Sequence, residues 1–77
     1  MHKVFVLLNC DLGAEELILE ELRKISQVSQ AYITFGAYDI IAEINADSQE
    51  GFDETVSLKI RRLARVVSTM TLNVINS

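Results

Sequence analysis

The chain alternates between short apolar runs, which predict strands, and two longer segments of helical periodicity. Residues 3–9 are largely apolar at both parities, as in a central strand whose two faces are both buried. Residues 30–35, 39–46 and 66–75 alternate apolar with polar side chains, which is typical of half-buried strands. These runs are the predicted strands of the fold.

Two segments space their apolar residues for one face of a helix. Residues 13–26 carry the first stripe, and Asp11 is predicted to cap this helix, because an oxygen just before a helix can accept hydrogen bonds from its free N–H groups. The second helix is predicted from a capping box of Asp47 and Glu50 to about Ala64. The two stripes consist of Ala14, Leu17, Ile18, Leu22 and Ile25, and of Phe52, Val56, Ile60 and Leu63.

The element order is strand, helix, strand, strand, helix, strand. It predicts one α+β domain of the ferredoxin-like βαββαβ type over residues 1–77. Right-handed crossovers place the first and third strands in the middle of a four-stranded antiparallel sheet, with two helices on one face. No element remains to cover the other face, on which we expect Ile41, Glu43, Thr69 and Thr71.

Self-association is the support that the composition favours for so small a domain. Hydrophobic residues make up 49% of the 77 residues, and part of that surface should lie outside a monomer core. The single cysteine, Cys10, excludes an intramolecular disulfide, and the single histidine, His2, leaves no set of zinc ligands. We therefore expect no cofactor or metal, and a homodimer in which a second copy covers the open sheet face.

The net charge of −4 weighs against direct nucleic-acid binding, because phosphate backbones attract basic proteins. The chain also has no signal peptide and no apolar run of the ~20 residues that a membrane span needs. The sequence thus predicts a cytoplasmic location, with neither membrane nor nucleic acid as a direct partner. One basic cluster is interpreted as cations at the negative end of the second helix: Lys59, Arg61, Arg62 and Arg65.

Two motifs are candidates for binding chemistry. Gly36 would let a ligand approach the backbone closely, Tyr38 would wall a pocket, and Asp39 would accept hydrogen bonds from a cationic amino group. An ordinary hairpin turn with a surface aspartate is the alternative. Thr69 and Thr71 are predicted to present both hydroxyls on the open face, to a ligand carboxylate or a dimer partner. Ordinary β-propensity of threonine is the alternative there.

Together these motifs resemble the effector-binding domain of the leucine-responsive regulatory protein/AsnC family, also called the regulation-of-amino-acid-metabolism (RAM) module. The similarity rests on Gly36-Ala37-Tyr38-Asp39 and on Thr69-Met70-Thr71, and it covers essentially the whole chain in element order and spacing. It implies dimers that pack sheet against sheet, and rings of dimers. The chain departs from the family pattern at residues 64–67, which lack a glycine turn, and at residues 11–13, which lack a proline.

The resemblance also implies a regulatory function. Effectors would be amino acids or close relatives, bound between dimers near the hairpin, and we expect their binding to shift the assembly. Full-length members carry a helix-turn-helix domain, whereas this chain starts at the first strand. It therefore resembles the stand-alone form, with helix-turn-helix members as candidate partners. The ligand-binding residues that the resemblance implies are Thr34, Gly36, Ala37, Tyr38, Asp39, Thr69 and Thr71.

Two other functions stay open at this level. The chain could be a ligand-free association module, in which case the hairpin pocket would be closed or filled by side chains. It could also be a small ferredoxin-like enzyme, although such enzymes need a set of His, Asp or Arg side chains inside a cleft, and His2 is the only histidine. We therefore expect a binding module rather than an enzyme.

Overall fold

A computed structural model describes residues 2–74, and it has the predicted ferredoxin-like element order. Helix α2 continues directly into a π-helical segment before the last strand. The elements are β1 (His2–Cys10), α1 (Glu15–Arg23), β2 (Val28–Ile33), β3 (Ile40–Ala46), α2 (Gln49–Glu54), the π segment (Thr55–Ile60) and β4 (Val66–Asn73). Ile75, the predicted end of the last strand, lies outside the described residues.

The strands form one antiparallel sheet in the order β2-β3-β1-β4, so β1 and β3 are central, as predicted. Residues paired across neighbouring strands share a face of the sheet. Val4 pairs with Ile44 and Leu8 pairs with Ile40, and all four side chains are buried. This face is the one that the helices cover.

The hydrophobic core lies between that face and the helices. β1 and β3 contribute alternate residues, because successive side chains of a strand point to opposite faces. Each larger aliphatic side chain buried in this way stabilises the fold by ~1.5–3 kcal/mol. The buried apolar residues are Val4, Val6, Leu8, Ala14, Ile18, Leu22, Ala31, Ile40, Ala42, Ile44, Phe52, Val56 and Ile60.

Helix α1 begins without a side-chain cap. Its N-cap residue is Ala14, whose N–H donates to the carbonyl oxygen of Asp11 at 3.0 Å, so the predicted side-chain cap at Asp11 is wrong. Glu15 and Glu16 in the first turn favour this start electrostatically, because the N-terminus of a helix is its positive end. Leu17 is 49% exposed, because it lies at the margin of the stripe formed by the buried residues.

Ser48, not Asp47, caps helix α2. The Ser48 Oγ accepts from the N–H of Gly51 at 3.1 Å, so the predicted capping box of Asp47 and Glu50 is wrong. The helix then widens, and its helical structure ends at Ile60 rather than near Ala64. No helix in the described part of the chain is long and apolar enough to span a membrane.

The turn into β4 uses an unusual backbone conformation. Arg65 has a φ of 71°, in the left-handed region that costs a residue with a side chain ~1–2 kcal/mol. Its carbonyl oxygen accepts from the N–H of Asp11 at 2.9 Å, which holds the turn against the end of β1. The chain therefore makes with an arginine the turn for which the family pattern often has a glycine.

The face assigned to the threonines of β4 is wrong. Thr69 pairs with Leu8 and Thr71 pairs with Val6, so both threonines lie on the helix-facing side. Thr71 is nevertheless exposed, because the helices do not cover that part of this edge strand. The apolar residues of β4 turn the other way, onto what we call the open face, whose apolar members are Phe5, Leu7, Tyr32, Ile41, Met70 and Leu72.

Candidate functional site

A pocket opens where the chain leaves β1 and where it crosses from β2 to β3. Its volume of about 630 Å³ falls within the ~300–1,000 Å³ that ligand pockets usually have. The segment that enters α1 forms one wall and the loop of residues 34–39, the β2–β3 loop, forms the other. The residues that line this loop pocket are Leu12, Gly13, Glu15, Glu16, Ile33, Thr34, Phe35, Gly36 and Asp39.

The β2–β3 loop is closed by hydrogen bonds between its two ends. The Thr34 N–H donates to the carbonyl oxygen of Asp39 at 2.9 Å. The Thr34 hydroxyl donates to the carbonyl oxygen of Tyr38 at 2.8 Å. Gly36 at the tip has a φ of 134°, which residues with a Cβ rarely adopt, while a Cβ there would meet nothing within 4 Å. Backbone conformation, not lack of space, therefore requires the glycine.

Asp39 joins this loop to the end of β1. Its N–H donates to the carbonyl oxygen of Leu8 at 2.9 Å, and its Oδ2 accepts from the N–H of Cys10 at 2.9 Å. The pairing of β1 with β4 shifts register between Asn9 and Cys10, so the carboxylate takes up an N–H at an irregular point of the sheet. Oδ2 thus already has a hydrogen-bond partner in the backbone of β1. The same carboxylate also forms a hydrogen bond with the side chain of Cys10.

The electrostatic potential at the loop pocket is negative. The described lining includes Glu15, Glu16 and Asp39 but no lysine or arginine. Partial burial, followed by the charges of Asp39 and Glu15, raises the pKa of the Cys10 thiol above its ordinary value. The carboxylates would therefore stabilise a cation in the pocket, whereas a nucleophilic thiolate at Cys10 is disfavoured.

The rim of the pocket is apolar and largely uncovered. Leu12 is 98% exposed, Phe35 is fully exposed, and Ile33 is 44% exposed. Single exposed apolar residues are ordinary, but several around one pocket are typical of a surface that a ligand or a partner covers. Residues 2–74 contain no cluster of three or more His, Cys, Asp or Glu that could hold a metal ion.

The structure brings three of the seven predicted site residues to this pocket: Thr34, Gly36 and Asp39. Ala37 belongs to the same loop but does not line the pocket. Tyr38 turns toward the open face, where its hydroxyl donates to the Sδ of Met70 at 3.2 Å.

The two threonines of β4 are not part of the pocket lining either. The Thr69 Oγ1 accepts from the Nε of Arg61 at 3.1 Å, so it is engaged with the end of the second helical segment. Thr71 lies beside Val6 on the same side of the sheet. The proposed meeting of the hairpin and the last strand around one ligand therefore does not occur within one protomer.

Six lining residues were missed from the sequence: Leu12, Gly13, Glu15, Glu16, Ile33 and Phe35. Glu15 and Glu16 lie in the first turn of α1. A topological signal was available, because the end of β1 and the start of β3 are antiparallel neighbours through Leu8 and Ile40. The segments that follow β1 and precede β3 must therefore lie together.

The open face carries an apolar row across all four strands. Leu7 pairs with Ile41 on one side and with Met70 on the other, and Ile41 pairs with Tyr32. The next row adds Phe5 and Leu72. Tyr32 is 51% exposed, Met70 48% and Leu72 49%, so the row is available to a partner.

A polar network centred on Glu43 adjoins this row. The Lys3 Nζ lies 3.1 Å from Glu43 Oε1, and the Ser29 hydroxyl donates to Oε2 at 2.8 Å. The Asn45 side-chain amide donates in turn to Ser29 at 2.9 Å. The Ser29 hydrogen bond, and then Lys3, lowers the pKa of Glu43 below its ordinary value. The network keeps this end of the face charged but internally paired.

Comparison with known proteins gives a match to a family model and similarity to several solved structures. The family model described as Lrp/AsnC ligand binding domain matches residues 3–77. Comparison with curated proteins gives no match. Among solved structures, TTHA0845 from Thermus thermophilus is similar over 100% of this chain and 96% of its own, with 27% identity and a TM-score of 0.95.

Two longer proteins share the fold. E. coli AsnC matches 99% of this chain at 23% identity and a TM-score of 0.93, and 52% of AsnC is covered. The L-Met complex of the transcriptional regulator NMB0573 from Neisseria meningitidis matches 97% at 16% identity and a TM-score of 0.88, and 50% of it is covered. The chain thus spans about half the length of these two proteins, and at such identities the likeness shows the fold alone.

Proposed function

This chain belongs to the Lrp/AsnC ligand-binding domain family, and from that premise we propose that it is a cytoplasmic regulatory module that binds an amino-acid-like effector. The effector occupies the loop pocket, and the protein assembles through its open face. Binding, not catalysis, is the activity. The regulator NMB0573, which has the same fold, forms a complex with L-Met, and this supports an effector of amino-acid chemistry.

We assign the amino group of the effector to the carboxylate of Asp39. The hydrogen bond from Cys10 fixes the orientation of this carboxylate through Oδ2, while Oδ1 can accept from an ammonium group. Glu15 and Glu16 add negative charge beside it. An effector with a cationic side chain is therefore favoured over one with a carboxylate side chain.

The remaining walls suit the rest of such a molecule. Gly36 gives the effector a close approach to the loop backbone. Thr34 stands between the two ends of the loop and can still accept a hydrogen bond at its oxygen. Leu12 and Phe35 supply apolar surface. Thr69 and Thr71 lie outside the lining of this pocket within one protomer, so we assign them no contact with the effector there.

The open face is proposed as the dimer interface. A two-fold pair buries the same patch on both copies, and the apolar row through Leu7, Ile41 and Met70 is self-complementary in this sense. Glu43 is neutralised by Lys3 within its own protomer, so burial against a second copy leaves no unpaired charge. The uncovered rim at Leu12 and Phe35 is a candidate contact between dimers.

Regulation then follows from linkage. An effector favours whichever assembly completes its pocket, by as much as its affinity differs between the assemblies. Helix-turn-helix members of the family are the candidate partners with which this module would co-assemble, and through them it would act on transcription. Direct contact with nucleic acid is not proposed for an acidic chain of net charge −4.

The observation that carries this proposal is the position of Asp39 in an open, ligand-sized, negatively charged pocket. The direct test is isothermal calorimetry of the wild type and of Asp39→Asn against each standard amino acid. The asparagine keeps an oxygen for the Cys10 N–H but removes the charge. We expect its affinity to fall by about tenfold or more, since a hydrogen bond to a charged group contributes ~1.5–3 kcal/mol. Asp11→Asn, outside the lining, is the matched control, and equal affinities in all three proteins would contradict the assignment.

One observation favours a second function, that of a ligand-free association module. The rim residues Leu12 and Phe35 are almost wholly exposed, and another protomer could fill the loop pocket with its own side chains. In that case the pocket would bind none of the amino acids, while the assembly would still form at low protein concentration.

A further inference from the structure

The loop pocket and the open face meet in a single short loop. Thr34 and Asp39 line the pocket, whereas Tyr38, between them in sequence, reaches the open face and donates to the Sδ of Met70 at 3.2 Å. Met70 pairs with Leu7 in the apolar row. A change in the position of this loop therefore alters both the pocket lining and the open face.

Hydrogen bonds make the two ends of the loop move together. The Thr34 hydroxyl holds the carbonyl oxygen of Tyr38 at 2.8 Å, and the Thr34 N–H holds that of Asp39 at 2.9 Å. A ligand that displaces Thr34 thus also displaces Tyr38. The thioether is a weak acceptor, so the Tyr38 contact positions Met70 without locking it.

The loop is anchored at one end and loose at its tip. Asp39 is tied to β1 through the backbone of Leu8 and Cys10. At the tip, Phe35 is fully exposed and nothing lies within 4 Å of the position where Gly36 would carry a Cβ. Segments with few packing contacts lie at the low-stability end of a fold and are the ones that move on binding.

We propose that Thr34 and Tyr38 transmit the state of the loop pocket to the dimer interface, with Tyr38 as a positioning residue for Met70. This inference rests on the proposed function, since it assumes that the open face is the interface. An effector that shifts the loop changes the Tyr38–Met70 contact and with it the dimer affinity. By reciprocity, dimerisation changes the affinity for the effector by the same factor.

The test needs no effector, because a substitution in the pocket replaces it. Thr34→Val removes the hydroxyl that holds Tyr38 and keeps the shape of the side chain. We expect its dimer dissociation constant, measured by sedimentation equilibrium on the full chain, to rise by up to about fivefold, the limit reached if the contribution of one ordinary hydrogen bond is made only in the dimer. Thr71→Val makes the same chemical change outside the pocket and off the open face, and it should leave the constant unchanged.

A double-mutant cycle separates transmission from simple damage. Tyr38→Phe keeps the ring and removes the donor to Met70. If Thr34 acts through Tyr38, the double variant Thr34→Val/Tyr38→Phe dimerises no more weakly than the worse single variant, because the two changes break the same chain of contacts. Urea unfolding of each variant establishes that it is folded. If Thr34→Val does not fold, Thr34→Ala, which also removes the hydroxyl, takes its place in the cycle with the same expected non-additivity.

The outcomes distinguish this inference from the function on which it rests. A wild type that dimerises, with unchanged constants in both single variants or with additive effects in the double variant, overturns the transmission and leaves the dimer in place. An equal effect of Thr71→Val also overturns it. A wild type that stays monomeric at every concentration overturns the proposed interface as well.

Discussion

The carboxylate of Asp39 accepts a hydrogen bond from the backbone N–H of Cys10 at 2.9 Å. The residue proposed to hold the effector is thus also part of the frame that fixes the end of β1. A binding group oriented in this way does not have to be ordered when the effector arrives, and this pre-organisation favours binding.

This double role predicts that Asp39→Ala and Asp39→Asn differ in stability. The alanine leaves the partly buried N–H of Cys10 without its acceptor, so we expect a loss of about 1–2 kcal/mol in the free energy of unfolding. The asparagine keeps an acceptor and should lose less than about 0.5 kcal/mol. Urea unfolding measures both. Equal losses would show that the bond to Cys10 contributes nothing and that only the charge matters.

The negative lining predicts a preference among effectors. L-Lysine and L-arginine should bind more tightly than L-leucine, and L-glutamate most weakly, because Glu15, Glu16 and Asp39 repel a second carboxylate. Calorimetry at rising salt should reduce the difference, since exposed charges are screened. Glu16→Gln should weaken L-lysine selectively, with Glu20→Gln, on the same helix and outside the lining, as the control. Tightest binding of L-glutamate would contradict this electrostatic picture.

Glu43 predicts a pH dependence of stability. Its pKa is lowered in the folded protein, chiefly by Ser29 and then by Lys3, from an ordinary value of 4.5. A lowered folded pKa means that the contribution is present above 4.5 and is lost as the pH falls through the folded value. Wild type should therefore be more stable than Glu43→Gln at neutral pH.

Thermal melts of both proteins across this range measure the effect. The difference between wild type and Glu43→Gln should shrink as the pH falls below 4.5 and then vanish. Taking the difference removes the contribution of the other carboxylates. A difference that grows toward acid pH would mean that Glu43 is not stabilised in its charged form.

The open face predicts where a charge will break the dimer. Leu72→Glu places a carboxylate beside Phe5 in the proposed interface, where dimerisation would bury it. We expect the dimer dissociation constant to rise at least about tenfold, because a buried unpaired charge is costly. Leu58→Glu is a matched control on the second helical segment, with 54% exposure against 49% for Leu72. Equal dimerisation of wild type and Leu72→Glu would move the interface elsewhere.

The element order and the central positions of β1 and β3 could be predicted because they depend on periodicity and on the handedness of crossovers. The face of the β4 threonines could not be predicted in the same way. β1 is apolar at both parities, so it does not say which parity of β4 faces the helices. The edge position of β4 decides which of its residues face the helices. The helices leave part of β4 uncovered, and its apolar residues Met70 and Leu72 turn to the open face.

The candidate site was predicted only where its residues follow each other in the chain. Thr34, Gly36 and Asp39 lie in one loop and could be found together. Glu16 and Leu12 come from a segment that only the pairing of β1 with β3 brings close. Tyr38 was assigned to the pocket, although its orientation depends on the loop hydrogen bonds of Thr34, which no local pattern encodes.

We propose that this module couples the binding of an amino-acid-like effector to its own assembly. The most direct test is to melt the full chain with each standard amino acid in turn and to measure the molecular mass of every stabilised sample by light scattering. An effector at 100 times its Kd should stabilise by ~2.7 kcal/mol, which is a large shift for a domain of this size. We predict that at least one amino acid raises the melting temperature and also changes the mass. Unchanged melting temperatures and one fixed mass with every amino acid would contradict this coupling and leave an association module without a ligand.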